Sequence, residues 1–258
     1  MLMSGKVVLV AGVGPGMGTE SALALARNGA DLVLAARRNE LIERLATEIE
    51  QLGRRVVYLP TDVCDADSCQ RLVTMACEAF GGIDVLVYNA FYQGEQSTVM
   101  MADLDDWRKV LDVNLLGAVT LCQKVVPAMR GNNSSIIMVN SQQAWQVEQG
   151  FASYSASKGA LENVTRHLAS ELGPQGIRVN GIHPGTIMGD ALKNWFTKIA
   201  EQQGCTYQEI YDKFASQSAM NYIPDAREMA GTVVYLASEL GLPITGQSIG
   251  INAGSWFH

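Results

Sequence analysis

The sequence predicts an α/β domain built on a doubly wound, seven-stranded parallel sheet, with a helical lid at about residues 186–224. Three observations carry that prediction. Short β-branched runs alternate with amphipathic helical stretches almost from end to end, the pattern of repeated βαβ units. A glycine-rich turn joins the first such run to the first helical one. No Pro-, Gly- or Ser-rich linker, internal repeat or low-complexity tract interrupts the alternation, so residues 1–258 read as one domain.

The elements follow in order. Strands are expected near Lys6 to Ala11, Asp31 to Ala36, Val56 to Leu59, Asp84 to Tyr88, Ser135 to Asn140, Arg178 to His183 and Ser248 to Ile251. Helices connect them, including a long apolar one over Asp112 to Met129 and another over Ala152 to Leu172. The rhythm breaks once, between Thr186 and Pro224, where helical pattern continues without a strand. An insertion at the carboxyl end of a strand in such a sheet lies where ligands bind, and it is read as a lid.

With 258 residues, 48% hydrophobic and 17% charged, the chain has ample material for a buried core and too much apolar content for disorder. Charged or amide residues interrupt every apolar run, so no membrane span is expected, and the N-terminus shows no targeting pattern. A cytoplasmic location follows as an expectation. The five cysteines (Cys64, Cys69, Cys77, Cys122 and Cys205) are odd in number and form no Cys-x-x-Cys pair, so neither a disulfide framework nor a metal site is expected. A net charge of −7, with no basic run longer than Arg37-Arg38 or Arg54-Arg55, excludes a nucleic-acid footprint.

After the first strand comes Gly12-Val13-Gly14-Pro15-Gly16-Met17-Gly18. Glycines at alternate positions between strand and helix let the backbone approach a pyrophosphate, whose charge the free N–H groups of the helix end can meet. NAD-binding folds place a carboxylate at the end of the second strand for the adenosine ribose. Ala36 stands there instead, followed by Arg37 and Arg38, whose guanidinium groups suit a 2′-phosphate. NADP(H) is therefore expected, with NAD(H) as the alternative if the arginines are merely solvated. Asp62, at the end of the third strand, is a candidate acceptor for the adenine amino group.

Tyr154 and Lys158 lie four apart, on one face of a predicted helix. Bringing a phenol from its usual value near 10 to neutrality takes roughly 4 kcal/mol. One positive charge about 5 Å away, at an effective dielectric of about 20, supplies roughly 3 kcal/mol of that. Ser141, ending the fifth strand, reaches the same sheet edge and can donate to a substrate oxygen. Asn114 is a polar residue within an otherwise apolar helix, a position that usually faces solvent.

Over nearly its full length the chain resembles the classical short-chain dehydrogenase/reductase family. The resemblance rests on the Gly12, Gly16 and Gly18 loop, Asp62-Val63, Asn89-Ala90, Asp112-Val113-Asn114, Ser141, Tyr154-Ser155-Ala156-Ser157-Lys158, Arg178-Val179-Asn180, Pro184-Gly185 and Thr245-Gly246-Gln247. It implies a Rossmann-like fold and reversible hydride transfer between NADP(H) and a ketone or secondary alcohol. Tyr154 is then the general acid/base, Lys158 lowers its pKa and binds the nicotinamide ribose, Ser141 orients the substrate oxygen, and Asn114 holds a relay water. Implied cofactor contacts are Gly12, Gly14, Gly16, Met17, Gly18, Arg37, Arg38, Asp62, Val63, Asn89, Ala90, Tyr154, Lys158, Pro184, Gly185 and Ile187. No metal is required.

Four positions depart from the family pattern. Ala11 stands where Thr is usual, Tyr88 and Phe91 replace the first Asn and the last Gly of Asn-Asn-Ala-Gly, and Gly189 stands where Thr is frequent. Losing both a hydroxyl and an amide at Ala11 and Tyr88 removes a polar pair together.

The lid carries many of the chain's aromatics at helical spacing. They either pack against the body or line a pocket for a bulky apolar carbonyl such as a steroid, terpenoid or alicyclic ketone. In the second case Phe91, Trp145, Phe151, Met188, Leu192 and Trp195 form its walls. Competing readings are a 3-ketoacyl carrier-protein reductase, disfavoured by the negative charge and by Ser170 where a basic residue is common, and a non-catalytic NADP(H)-sensing protein. The terminal Trp256-Phe257 pair suggests a subunit contact, and the family resemblance implies a homotetramer.

Overall fold

The computed structural model describes residues 1–257. Its strands are β1 (Val7–Ala11), β2 (Asp31–Ala36), β3 (Val56–Pro60), β4 (Val85–Tyr88), β5 (Ser134–Val139), β6 (Ile177–Pro184) and β7 (Ser248–Ile251). They form one sheet in the order β3-β2-β1-β4-β5-β6-β7. Every neighbouring pair is parallel, with Ala11 opposite Ala35 on one side and Tyr88 on the other. The order in which strands are added reverses between β1 and β4, and the crevice that this opens at the carboxyl edge is where ligands bind in such sheets.

The inner strands β1, β4, β5 and β6 are buried along their whole length, as expected of strands covered on both faces. Side chains alternate between two cores. Val8, Val10, Leu32, Leu34, Val85 and Val87 meet Leu25, Ile42 and Val233 on one face. Val7, Leu9, Val33 and Leu86 meet Leu72, Leu121 and Leu161 on the other. These partners belong to α1 (Met17–Arg27), α2 (Asn39–Gln51) and α9 (Ala226–Ala237) on the first side, and to α3 (Ala66–Phe80), α5 (Gly117–Val125) and α6 (Ala152–Leu172) on the second.

The long helix expected over Asp112 to Met129 belongs to a longer continuous helical run that begins at Leu104 and contains a π turn. α4 (Leu104–Leu111) leads into a π turn at Asp112–Leu116, and only then does α5 begin. The combined helical run Leu104–Ala128, with mean hydropathy 1.3, is long and apolar enough to cross a membrane. In this fold its Ala118, Leu121, Cys122 and Val125 are spent against the sheet.

The insertion after β6 forms α7 (Asp190–Gln203) and α8 (Tyr207–Ala215). A reciprocal capping box between Thr206 and Glu209 starts α8, and one between Asp225 and Glu228 starts α9. Phe196, Ala200, Ile210, Ala215 and Ile223 make a small core of the insertion's own.

Candidate active site

Two adjoining cavities of 560 and 670 Å³ run along the carboxyl edge of the sheet and share Gly12, Gly14, Pro15, Asn89 and Phe91 in their walls. The glycine loop is held down tightly. Asn89 Nδ2 donates to the Gly12 carbonyl at 2.7 Å, and a Cβ on Gly12 would come within 2.2 Å of the Ala90 backbone nitrogen. At Gly18 a Cβ would meet the Gly12 carbonyl at 2.4 Å, whereas at Gly14 and Gly16 it would meet open space. The first two glycines therefore serve the packing of loop on strand, and the other two leave the backbone bare towards the cleft. No side chain caps α1 at Gly16, so the helix end presents backbone N–H groups.

The first cavity ends at Ala36, Arg37, Arg38, Thr61, Asp62 and Val63. Both arginines are exposed, and neither has a carboxylate within ion-pair distance among the described residues. Asp62 closes a local turn by accepting from the Cys64 N–H at 3.0 Å. The second cavity holds Met17, Asn140, Ser141, Tyr154, Lys158, Pro184, Gly185, Ile187 and Met188. Asn140 is buried there with neither side-chain polar atom partnered, an arrangement that favours a polar ligand at this wall. Bare glycine backbone, guanidinium groups without an ion-pair partner among the described residues and an orphaned amide along one cleft fit a nicotinamide dinucleotide.

Tyr154 and Lys158 share one face of α6, with Nζ 5.6 Å from the phenol ring centre and 6.0 Å from that of Phe91. Lys158 is fully buried and donates to the Val139 carbonyl at 2.9 Å. Burial lowers its ammonium to about 7. Burial also pushes the Tyr154 phenol up to about 12, against the opposing pull of a hydrogen bond with the Ser141 side chain. Burial thus opposes the lowering expected of Lys158, and burial of Lys158 itself weakens the charge it can offer the phenol. Behind Ser141, the His183 ring nitrogen Nδ1 lies 3.0 Å from its carbonyl.

Asn114 is buried, not solvent-facing. Its Oδ1 accepts from the Tyr92 N–H at 2.7 Å, and its Nδ2 donates to the Tyr92 carbonyl and to Ser157 Oγ, both at 2.9 Å. Both N–H groups of the amide are thus engaged within the protein.

The expected substrate walls divide. Phe91 stands edge-on to Tyr154 with centroids 6.3 Å apart, and with Met188 it lines the cleft. Trp145 does not line it: its indole stacks on His183 at 4.0 Å and donates to Glu162 at 2.7 Å, behind α6. Phe151 precedes α6, bridged to Ser97. Leu192 packs on the insertion's own core, and Trp195 sits edge-on to Phe214 at 5.2 Å. Helical spacing located these residues on one face of α7 but could not say which neighbour that face meets.

A family model described as "Enoyl-(Acyl carrier protein) reductase" matches residues 12–255. The trans-4-hydroxycyclohexanecarboxylate dehydrogenase of Sinomonas cyclohexanicum is 33% identical over 96% of this chain and 92% of its own length. The 3-oxoacyl-[acyl-carrier-protein] reductase of Thermotoga maritima is 32% identical over 98% of this chain and 99% of its own. Among solved structures, the L-sorbose reductase of Gluconobacter frateurii, complexed with NADPH and L-sorbose, superposes with a TM-score of 0.91 at 29% identity, covering 99% of this chain and 98% of that one. The fold, the cleft and these matches define a nicotinamide-dependent oxidoreductase. The chain belongs to the short-chain dehydrogenase/reductase family.

Proposed function

We propose that this protein is an NADP(H)-dependent oxidoreductase that interconverts a ketone and a secondary alcohol, with Ser141, Tyr154 and Lys158 at the reacting oxygen. The observation that carries the cofactor choice is the rim of the first cavity: Ala36 offers no carboxylate, and the Arg37 and Arg38 guanidinium groups are exposed and unpaired beside it. The NADPH found with the L-sorbose reductase supports the same choice. Gly14, Gly16, Met17 and the α1 N-terminus would hold the pyrophosphate. Asp62 and Val63 would flank the adenosine, and Asn89, Ala90, Pro184, Gly185 and Ile187 would flank the nicotinamide half.

Bound there, the nicotinamide supplies or accepts the hydride. Ser141 donates to the substrate carbonyl and orients it. With a pKa of about 12, Tyr154 is protonated throughout the neutral range and passes its proton to the growing alkoxide, a far stronger base. Lys158, near 7, exchanges a proton readily at neutral pH and sits where it can help to replenish the phenol. In the oxidative direction the phenol must first ionise, which burial of Tyr154 opposes at neutral pH.

For the substrate, Phe91 and Met188 supply apolar wall to the cavity that holds Tyr154, and the kinship with a hydroxycyclohexanecarboxylate dehydrogenase supports an alicyclic or similarly apolar carbonyl. Kinship with a 3-oxoacyl carrier-protein reductase makes that activity the second reading. The net charge of −7 opposes docking of an acidic carrier. We further propose a cytoplasmic homotetramer, consistent with five unpaired cysteines and an exposed Phe257. Turnover of alicyclic ketones, steroids and a ketoacyl thioester with NADPH and with NADH tests these readings together, and Arg37→Asp tests the cofactor site. A cofactor preference unchanged by Arg37→Asp would remove the arginine from that role.

A further inference from the structure

Tyr88 ends the central strand β4 and is fully buried, yet its phenol is not idle. Its hydroxyl donates to the Val113 carbonyl at 2.5 Å, inside the π turn Asp112–Leu116. In that turn the ladder shifts by one residue, and the Gly117 N–H bonds the Asp112 carbonyl five residues back. Such a shift is uncommon within helices and recurs at functional sites, and the buried carbonyls it disturbs need partners. The two residues are also matched in size: a Cβ on Gly117 would lie 2.8 Å from the Tyr88 hydroxyl. Thus the substitution that departs from the family pattern does not merely erase a polar pair with Ala11. It places a new donor under the helix.

The contact continues to the reacting group. Asn114, next to Val113, donates to Ser157 Oγ at 2.9 Å, and Ser157 Oγ donates to the Tyr154 carbonyl at 2.7 Å. We propose that Tyr88 is a positioning residue: by holding the Val113 carbonyl it fixes the π turn, and through Asn114 and Ser157 it sets the face of α6 that carries Tyr154 and Lys158. The proposal rests on the acid–base role assigned to Tyr154 above.

The test is Tyr88→Phe, which keeps the ring and removes only the hydrogen bond. NADPH-linked reduction of cyclohexanone is measured in the wild-type and Asn114→Ala backgrounds, with hydrogen exchange followed by mass spectrometry over residues 112–118. Loss of one buried hydrogen bond in the line of action is expected to lower kcat by about tenfold with KM nearly unchanged. In Asn114→Ala the same change should cost less than about twofold, because the link is already cut. Exchange over the π turn should rise. Equal losses in the two backgrounds, a loss carried by KM, or unchanged kcat would overturn the proposal. If the wild-type protein reduces no carbonyl, the functional reading fails separately, and the exchange arm still decides the clamp: unchanged exchange over residues 112–118 overturns it.

Discussion

Burial shifts two side chains one helical turn apart on α6 towards their uncharged forms, and their ionisation governs both rate and stability. Tyr154→Phe should keep NADPH binding, followed by fluorescence titration, while turnover falls to a few per cent or less, since no other group shares its place at the oxygen. Carbonyl reduction should stay level through neutral pH and decline only as the phenol ionises towards 12, whereas alcohol oxidation should climb with pH. Lys158 has the opposite effect on the fold. Its ammonium lies near 7 in the folded chain against 10.5 unfolded, so between those values the unfolded chain holds a proton that the folded one has released. Stability from this group therefore rises with pH across that window, and the full penalty of burying the charge is present below it. Lys158→Met should abolish turnover yet stabilise the protein by at least about 1 kcal/mol near pH 7, with the advantage shrinking towards pH 10 in paired melting curves. At the cofactor rim, Arg37→Asp should shift the NADPH to NADH preference by about tenfold or more, read from kcat/KM with each cofactor. Spacing put Tyr154 and Lys158 on one helix face, the end of the fifth strand brought Ser141 to the same edge, and the family resemblance joined the three as one site. Spacing could not weigh desolvation against charge, because that balance depends on what covers the side chains.

The parallel strands are legible because most are short apolar, β-branched runs, and their predicted bounds fall within about two residues of those observed. Two elements behave otherwise. The π turn carries no compositional mark: Asp112-Val113-Asn114-Leu115-Leu116 reads as ordinary helix, and only Tyr88 beneath it and Gly117 beyond it betray the shift. The insertion was visible as helical, but its periodicity cannot distinguish a face turned to the cleft from one turned to a sister helix. α7 turns Phe196 to α8, stacked on Phe214 at 5.0 Å. Phe196→Ala should therefore cost about 3 kcal/mol or more of local stability and open α7 and α8 to proteolysis before the sheet melts. Trp195→Ala, at a half-exposed position, should leave KM for an alicyclic ketone nearly unchanged. Met188→Ala should raise it, because Met188 is the large apolar side chain that the α7 approach contributes to the cleft wall.

At the level of the whole molecule, one sheet edge gathers the loops after β1, β2, β3, β4, β5 and β6 together with the start of α6. Doubly wound topology makes this possible, since every parallel strand delivers its next residue to the same edge. The tail lies apart from that convergence. Phe257 is 78% exposed, and Asn252 Nδ2 ties down the Trp256 carbonyl at 3.1 Å, so the pair is presented outward. Deleting residues 256–258 should shift sedimentation towards smaller species if the proposed tetramer uses this surface, and unchanged sedimentation would exclude the tail from it. The central claim is the reaction itself: hydride exchange between NADP(H) and a carbonyl at Tyr154. The most direct measurement is loss of nicotinamide absorbance with NADPH and, separately, NADH, over a panel of alicyclic, steroid, terpenoid and ketoacyl carbonyls, with Tyr154→Phe as the control. The account predicts NADPH-linked turnover on the apolar ketones that vanishes in the control. NADH-linked turnover would contradict the reading of Arg37 and Arg38, and NADPH binding without turnover on any carbonyl would contradict the enzyme.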